Sequence, residues 1–373
     1  MRTELCDRFG IEYPIFVFTP SEKVAAAVTR AGGMGVLGCV RFNDPDDLEA
    51  VLQWMDANTD GKPYGVDVVM PAKVPTEGSS IDINKLIPQT HRDFVAKTLA
   101  DLGVPPLPED EAKSEGVLGW LHSVARSHVE VALRHPIKLI ANALGSPPKD
   151  VIDQVHEAGV PVAALAGSAK HAQRHAENGV DIVIAQGHEA GGHTGEIASM
   201  VLVPEVVDGL AGKTAVLAAG GIGSGRQVAA ALALGAQGVW MGSAFLTAAE
   251  YDLGVRTEGG ASVIQEALLA ATSSDTVRRR IYTGKPARLL KSRWTEAWDA
   301  EGAPEPLPMP LQNILVSEAH QRMSASEDPS TVAMPVGQIV GRMNEIRPVA
   351  DIIAELVSGF EAATRRLDSI RES

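Results

Sequence analysis

A short glycine-rich run carries the residues best suited to catalysis. It is Gly187–Gly195, which reads Gly-His-Glu-Ala-Gly-Gly-His-Thr-Gly and follows an apolar stretch ending at Gln186. Glycines let the backbone approach a ligand closely, and His193 can act as a general base because the ordinary histidine pKa is near 6.5. The spacing His-Glu-x-x-x-His is one residue longer than the zinc pattern, and its glycines would break the required helix. The run therefore favours acid–base chemistry, or a turn with solvated histidines, and we predict no metal.

Two further glycine-rich segments have the character of anion-binding turns. They are Ala218–Arg226 and Trp240–Phe245, each at the end of an apolar stretch. A strand, a glycine turn and a helix start together present backbone N–H groups to an anion, and barrels often bind phosphate after their seventh and eighth strands. The dinucleotide pattern is absent because position 226 is Arg. Close packing of strand on helix is the alternative interpretation.

One concentrated basic segment, Arg278–Arg288, continues to Lys291 and Arg293. It could face an anionic tail such as a nucleotide or a CoA-type thioester. A solvated helix end is the alternative interpretation.

The elements that must position these residues are short apolar strands alternating with helices. Such runs are typical of strands covered on both faces, as in a parallel sheet. Their number favours an α/β (β/α)8 TIM barrel over a doubly wound sheet. The predicted strands are Tyr13–Phe18, Gly35–Cys39, Tyr64–Met70, Ile137–Leu144, Val160–Ala166, Asp181–Gln186, Ala215–Ala219 and Gly238–Met241.

Two segments of the sequence are not accounted for by the eight strands and eight helices of a barrel. We expect the barrel in residues 1–250, with a lid-like helical insertion after the third strand at about 71–134. Residues 251–373 are predicted to form a mainly helical C-terminal extension that packs on the barrel.

Composition limits the partners. With 33 basic and 47 acidic residues the net charge is −14, which argues against binding nucleic acid or anionic membranes. No apolar run approaches the roughly 20 residues of a transmembrane helix, and the N-terminal residues lack the apolar core of a signal peptide. Two cysteines cannot form a disulfide framework. We therefore expect a cytoplasmic protein acting on a small molecule, with a homo-oligomer left open.

Taken together, these motifs resemble the nitronate monooxygenase family, also called 2-nitropropane dioxygenase-like flavoproteins. The segments that carry the resemblance are Val24–Gly38, Gly187–Gly195, Gly220–Ser243 and Tyr282–Arg288. The resemblance covers most of residues 10–300 and implies a TIM barrel with non-covalent FMN at the carboxyl ends of the strands.

The resemblance also implies roles for individual residues. His193 matches the catalytic histidine. The positions that match or adjoin the cofactor site are Thr19, Asp67, Gln186, Gly191, Gly192, Gly221, Gly223, Gly242 and Ser243. Among these, Gly221, Gly242 and Ser243 match phosphate-binding positions, and Gln186 is expected to reach the isoalloxazine.

The chain departs from the family pattern on the substrate side. Val17–Pro20 replaces the usual glutamine-containing segment after the first strand, and Asp67 stands where Asn is common. An acid near the flavin disfavours its anionic reduced form unless the acid is protonated or paired. A Lys sometimes found on the fifth strand is replaced near Leu165, and the 71–134 insertion is unusual.

The resemblance implies an FMN-dependent oxidoreductase that oxidises alkyl nitronates and nitroalkanes with dioxygen to carbonyl compounds and nitrite, His193 removing the α proton of a nitroalkane. A second hypothesis is an NAD(P)H-dependent reductase or dehydrogenase acting on a quinone or an enoyl- or acyl-CoA-type substrate, which the basic segment favours. A third is a barrel that binds a phosphorylated ligand without turnover.

Overall fold

The fold is known from a computed structural model that describes residues 1–70, 83–107, 122–257 and 259–372. Eight parallel strands close a barrel, and three short strands form a separate sheet. In chain order the strands are β1 Ile15–Thr19, β2 Met34–Gly38, β3 Gly65–Val68, β4 Leu139–Asn142, β5 Val162–Ala166, β6 Ile182–Gln186, β7 Gly192–His193, β8 Ala215–Ala219, β9 Gly238–Met241, β10 Thr276–Arg279 and β11 Ala287–Leu290. The predicted TIM barrel is confirmed, and all eight predicted strands are present with ends shifted by at most two residues.

The barrel follows the chain order of its strands. Neighbours run β1-β2-β3-β4-β5-β6-β8-β9, and β9 pairs with β1 to close the ring. Alternate residues point inward and outward along each strand. Phe16, Val36 and Ile184 belong to the interior cluster, whereas Val66 and Val68 pack outward against helices. Both faces of each strand are therefore buried, which explains the continuously apolar runs.

Most helices of the described residues surround the barrel or extend its mouth, and the first packs on the interior cluster. They are α1 Glu4–Phe9, α2 Glu22–Arg30, α3 Pro45–Asn58, α4 Gln89–Asp101, α5 His122–Ala132, α6 Lys149–Glu157, α7 Ala169–Glu177, α8 Ser199–Leu210, α9 Gly225–Ala233, α10 Val263–Leu269, α11 Arg293–Asp299, α12 Leu311–Ala325 and α13 Val349–Glu372. Short 3-10 turns occupy Cys39–Arg41, Ile83–Leu86, Ser243–Phe245, Pro329–Thr331 and Gln338–Arg342.

The last helix closes the ring of barrel helices. α13 packs on α9 and on α2, and Ile352 and Leu356 join the same cluster as Val228 of α9. The two helices can approach closely because Gly225 has no side chain. A Cβ at this position would lie only 2.2 Å from the backbone N of Phe360. After β9 the chain leaves the barrel and forms the segment that contains α10, α11, α12 and the β10–β11 hairpin. It then returns as α13, which is the eighth helix around the barrel.

The predicted insertion is divided between two neighbourhoods. α5 packs on α3 in the barrel shell, whereas α4 packs on α12 of the C-terminal segment. Val95 and Leu99 of α4 share a cluster with Trp294 and Trp298. Residues 71–82 and 108–121 of the predicted insertion lie outside the described residues.

Asn142 at the end of β4 braces the strand ends that carry the mouth. Its Oδ1 accepts from Met70 N at 2.7 Å, and its Nδ2 donates to Met70 O at 3.1 Å and to Gly145 O at 2.7 Å. We predict that Asn142→Ala lowers the free energy of unfolding by about 3 kcal/mol, because buried backbone groups lose their partners. Urea unfolding measures this change. Asn178→Ala, at an exposed helix end, is the control, and equal midpoints for the two variants would refute the bracing role.

Candidate active site

The candidate residues meet at one end of the barrel. Because the strands are parallel, their carboxyl ends form a single mouth. Thr19 ends β1, Gln186 ends β6, and Asp67 is the next-to-last residue of β3. Gly221 and Gly242 follow β8 and β9. Topology alone therefore gathers residues that are far apart in the chain.

Inward and outward alternation decides which of these side chains enter the mouth. Gln186 follows the interior residues Ile182 and Ile184 on its strand, and it is half-buried. Thr19 instead lies on the outward face of β1, where its Oγ1 accepts from Ser21 N at 3.1 Å. The structure thus uses the Thr19 hydroxyl in the turn after β1 and leaves only its backbone at the mouth.

The mouth also has an apolar wall. Phe18 and Leu165 pack against the interior cluster and stay partly exposed. Phe18 is the inward neighbour of Thr19 on β1, and Leu165 lies on β5. Two strands thus present apolar side chains to a ligand.

Asp67 is a buried acid, and no described residue forms a hydrogen bond or ion pair with its carboxyl group. Its neighbours Val66 and Val68 point outward, so alternation directs its carboxyl group into the barrel. The residue is 2% exposed. Burial raises the pKa of this carboxyl group from 3.8 to about 8. The protonated form therefore predominates near neutral pH.

The glycine-rich run is held by a small sheet rather than by a free turn. Gly192 and His193 form β7, which pairs antiparallel with β11. Arg288 Nε donates to His188 O at 2.9 Å, and Arg278 Nη2 donates to Thr194 O at 2.8 Å.

The basic segment therefore has a structural role that neither sequence interpretation described. It forms the β10–β11 hairpin, and two of its arginines, Arg278 and Arg288, bind the backbone of the glycine-rich run. This hairpin fixes the position of His193.

His193 has the environment of a neutral base. Its Nε2 lies 2.6 Å from Thr283 Oγ1, in the turn between β10 and β11. Burial, and then the charge of Lys285, lower the pKa of His193 from 6.5 to about 4. The imidazole is therefore unprotonated at neutral pH and can accept a proton.

Glu189, the acid of the same run, is occupied structurally. Its carboxylate accepts from Ser199 N at 3.0 Å and from Ser199 Oγ at 3.0 Å, at the start of α8. Its backbone O accepts from Gln338 N at 2.9 Å. These contacts fix the conformation of the glycine-rich run. Because the Glu189 carboxylate is hydrogen-bonded to Ser199, we assign it a structural role rather than a role in proton transfer.

The turn after β8 is braced by a side chain that sequence reasoning missed. Gly221 adopts a positive φ of 70°, which glycine tolerates readily. Gln227 Oε1 accepts from Gly223 N at 2.9 Å, and its Nε2 donates to Gly221 O. The N–H of Gly223, a residue predicted to adjoin the cofactor, is thus engaged by Gln227 within the chain.

The C-terminal segment reaches the same turns. Gly337 N donates to Ser243 Oγ at 2.8 Å, leaving the Ser243 hydroxyl proton to point elsewhere. Gly191 lies so close that an added Cβ would be 2.7 Å from Val336 Cα. Residues 336–338 are therefore part of the candidate site.

Thr283, Gln227 and Gly337 were not predicted as site residues. Thr283 and Gln227 lie in or beside the quoted motifs, and a motif does not say which of its hydroxyls or amides bind its own backbone. Gly337 lies in a Val-Gly-Gln sequence with no distinctive local signal.

Within the described ranges, no three or more His, Cys, Asp or Glu side chains come together as metal ligands. In the same part of the chain, no helix combines the length and apolar character needed to cross a membrane.

Comparisons with known proteins identify the family. The family model for nitronate monooxygenase matches residues 2–359. A Mycobacterium tuberculosis protein named as a monooxygenase, Rv1533, is 47% identical, with 96% of each chain covered. A Staphylococcus aureus protein named as a nitronate monooxygenase is 27% identical, covering 96% of this chain and 97% of its own.

Solved structures agree with that assignment. The nitroalkane oxidase of Streptomyces ansochromogenes is 27% identical with a TM-score of 0.79, covering 97% of this chain and 99% of its own. FabK from Thermotoga maritima is 28% identical with a TM-score of 0.74, covering 99% of each chain. The chain belongs to the nitronate monooxygenase family and is a flavin-dependent oxidoreductase acting on a small molecule.

Proposed function

We propose that the chain is an FMN-dependent enzyme that oxidises alkyl nitronates and nitroalkanes with dioxygen, releasing carbonyl compounds and nitrite. The observation that carries the proposal is His193, a histidine held by Thr283 at the barrel mouth with a pKa of about 4. A nitroalkane must lose its α proton to become a nitronate, and a neutral imidazole can accept that proton. Lys285, whose charge acts on His193, is placed to attract the resulting anion.

The residues at the mouth fit FMN. The turns at Gly221 and Gly242 form a backbone cradle for a phosphate, and the free hydroxyl proton of Ser243 is available to it. Gly191 and Gly192 keep the run beside the mouth free of side chains, while Gln186 and Asp67 project polar groups from the barrel interior. When bound, FMN supplies the redox chemistry, and the protein supplies position, electrostatics and the base.

A second candidate function has its own support. An NAD(P)H-dependent reductase or dehydrogenase of a quinone or an enoyl- or acyl-CoA-type substrate is favoured by the likeness to FabK from Thermotoga maritima. The basic segment gives this candidate less support than its sequence suggested, because Arg278 and Arg288 bind the glycine-rich run. The nitronate reaction therefore stands first.

We place the enzyme in the cytoplasm. Cys6 and Cys39 are both buried as free thiols, which suits a reducing compartment.

The visible spectrum of the purified protein under anaerobic conditions tests both candidates. A flavin spectrum that NADPH leaves unchanged, with bleaching by an alkyl nitronate, supports the leading function. Bleaching by NADPH alone supports the reductase. A protein that takes up no FMN on reconstitution refutes both.

Removal of the Thr283 hydroxyl should affect proton transfer specifically. We predict that Thr283→Val lowers kcat/KM for a neutral nitroalkane by about 10-fold, because His193 loses the hydrogen bond that orients its ring. Thr283→Ser keeps a hydroxyl group and should retain most of the activity. Steady-state oxygen uptake measures both variants. Equal loss in the serine variant, which keeps the hydroxyl group, would show that the hydrogen bond to His193 does not account for the effect.

A further inference from the structure

We propose that Asp67 binds the flavin as a neutral carboxylic acid, donating its O–H to an acceptor of the ring, so that FMN affinity depends on pH. The inference rests on the proposed function only in requiring FMN. The proposed redox reaction does not by itself specify whether the Asp67 carboxyl group is protonated.

The Asp67 side chain points into the barrel, where only a ligand could pair with it among the groups described. Its side chain points into the barrel, between Gly38 of β2 and Ala141 of β4, and these neighbours carry no polar side-chain atoms. The described residues provide no hydrogen bond or ion pair to its carboxyl group. An unpaired buried polar group is costly, and a ligand acceptor at the mouth would relieve that cost.

The charges around Asp67 do not favour its ionised form. Burial alone raises the pKa of Asp67; in the adjoining turn Asp67 in turn raises the pKa of the Cys39 thiol, which burial also raises. Arg41 lowers the pKa of Cys39, but it pairs with Glu22 at 2.6 Å. On β4 the next polar residue is Asn142, and its side-chain amide is hydrogen-bonded to the backbone of Met70 and Gly145.

Two protonation states of Asp67 would present different groups to the flavin. The neutral acid offers one O–H donor, whereas the carboxylate only accepts. If the bound state requires the proton, each pH unit above the pKa weakens binding about tenfold. The pKa of Asp67 lies at about 8, so FMN affinity should be constant at neutral pH and fall in mild alkali.

The test compares wild type with Asp67→Asn, which keeps a donor but cannot ionise. Bound FMN is removed and titrated back across the neutral to alkaline range, and the dissociation constant is read from flavin fluorescence. Wild type should lose about tenfold in affinity per pH unit above about pH 8, whereas the variant should show a flat profile. Asp60→Asn, at an exposed turn residue with φ of 55°, is the control and should follow wild type.

A second measurement uses the apoprotein, so it does not depend on FMN binding by wild type or by the variant. Infrared spectra of the apoprotein should show the band of a protonated carboxyl group that disappears as the pH rises through about 8. The same band should be absent from Asp67→Asn. Its absence from wild type would overturn the proposal even if the variant fails to fold.

The outcomes separate this inference from the proposed function. Identical pH profiles of FMN binding in wild type and Asp67→Asn would overturn the role of Asp67 and leave the flavin function intact. Failure of wild type and Asp60→Asn to bind FMN at any pH would overturn both. A steep wild-type profile with a flat variant profile supports the inference.

Discussion

Replacing His193 with alanine is expected to lower kcat/KM for a neutral nitroalkane by about 10²–10⁴-fold, the range that a positioned general base contributes. The imidazole is unprotonated because its pKa is about 4, so in wild type it is ready to accept the α proton. Oxygen uptake or nitrite release measures the loss. FMN should stay bound, since the turns proposed to hold its phosphate come from other strands.

A preformed nitronate is the matched control for that variant. This substrate has already lost its α proton, so His193→Ala should change its turnover far less than that of the nitroalkane. Equal losses on the two substrates would mean that His193 binds the substrate rather than deprotonating it. Unchanged nitroalkane kinetics would remove His193 from the mechanism.

The pH profile gives an independent check on the same base. A histidine with the ordinary pKa near 6.5 would make kcat/KM rise through neutral pH. With a pKa of about 4, His193 is already deprotonated there, so its contribution to kcat/KM for the nitroalkane should rise only in acid and be flat from about pH 6 upward. A rise centred near neutrality would contradict the buried environment of this ring.

The barrel was predictable from the sequence because its signals are local. Runs such as Ile182–Gln186 and Ala215–Ala219 are buried on both faces, so their apolar composition reports their environment directly. Parallel strands then bring the residues that follow them to one end. This is why Gln186, Gly221 and Gly242 could be grouped without coordinates.

Contacts between distant segments had no such signal. Thr283 meets His193 across 90 positions in sequence, and the pairing of β7 with β11 depends on two strands of two and four residues. Short strands carry little periodicity, so their partners are set by tertiary packing rather than by pattern. The basic segment was therefore predicted to be a ligand surface or a solvated helix end, whereas Arg278 and Arg288 bind the backbone of the glycine-rich run.

The position of a residue on a strand was easier to predict than the direction of its side chain. Thr19 and Asp67 both lie near carboxyl ends of strands, yet one points outward and the other inward. A one-residue difference in phase exchanges the two faces of a strand. The inward residue nearest the carboxyl end of β1 is Phe18, which gives the mouth an apolar wall beside the predicted cofactor residue Thr19.

Substitution of Gly191 by alanine is expected to weaken FMN binding by about 10- to 100-fold, the equivalent of about 1–3 kcal/mol of overpacking. The added Cβ would lie 2.7 Å from Val336 Cα and 2.8 Å from Gly337 N. Both are backbone atoms, so the clash cannot be relieved by rotating a side chain. Separation of the two segments would break the bond from Gly337 N to Ser243 Oγ and disturb the proposed phosphate turn. Fluorescence titration with FMN measures the loss.

Gly209→Ala is the matched control for Gly191→Ala, because a Cβ at Gly209 meets nothing within 4 Å and the residue lies within α8. It should bind FMN as wild type does and melt at the same temperature or slightly higher, since alanine favours a helix over glycine by about 1 kcal/mol. Gly191→Ala should melt several degrees lower. Wild-type affinity and melting in Gly191→Ala would show that residues 336–338 can move aside freely, and the C-terminal segment would then have no part in holding the cofactor.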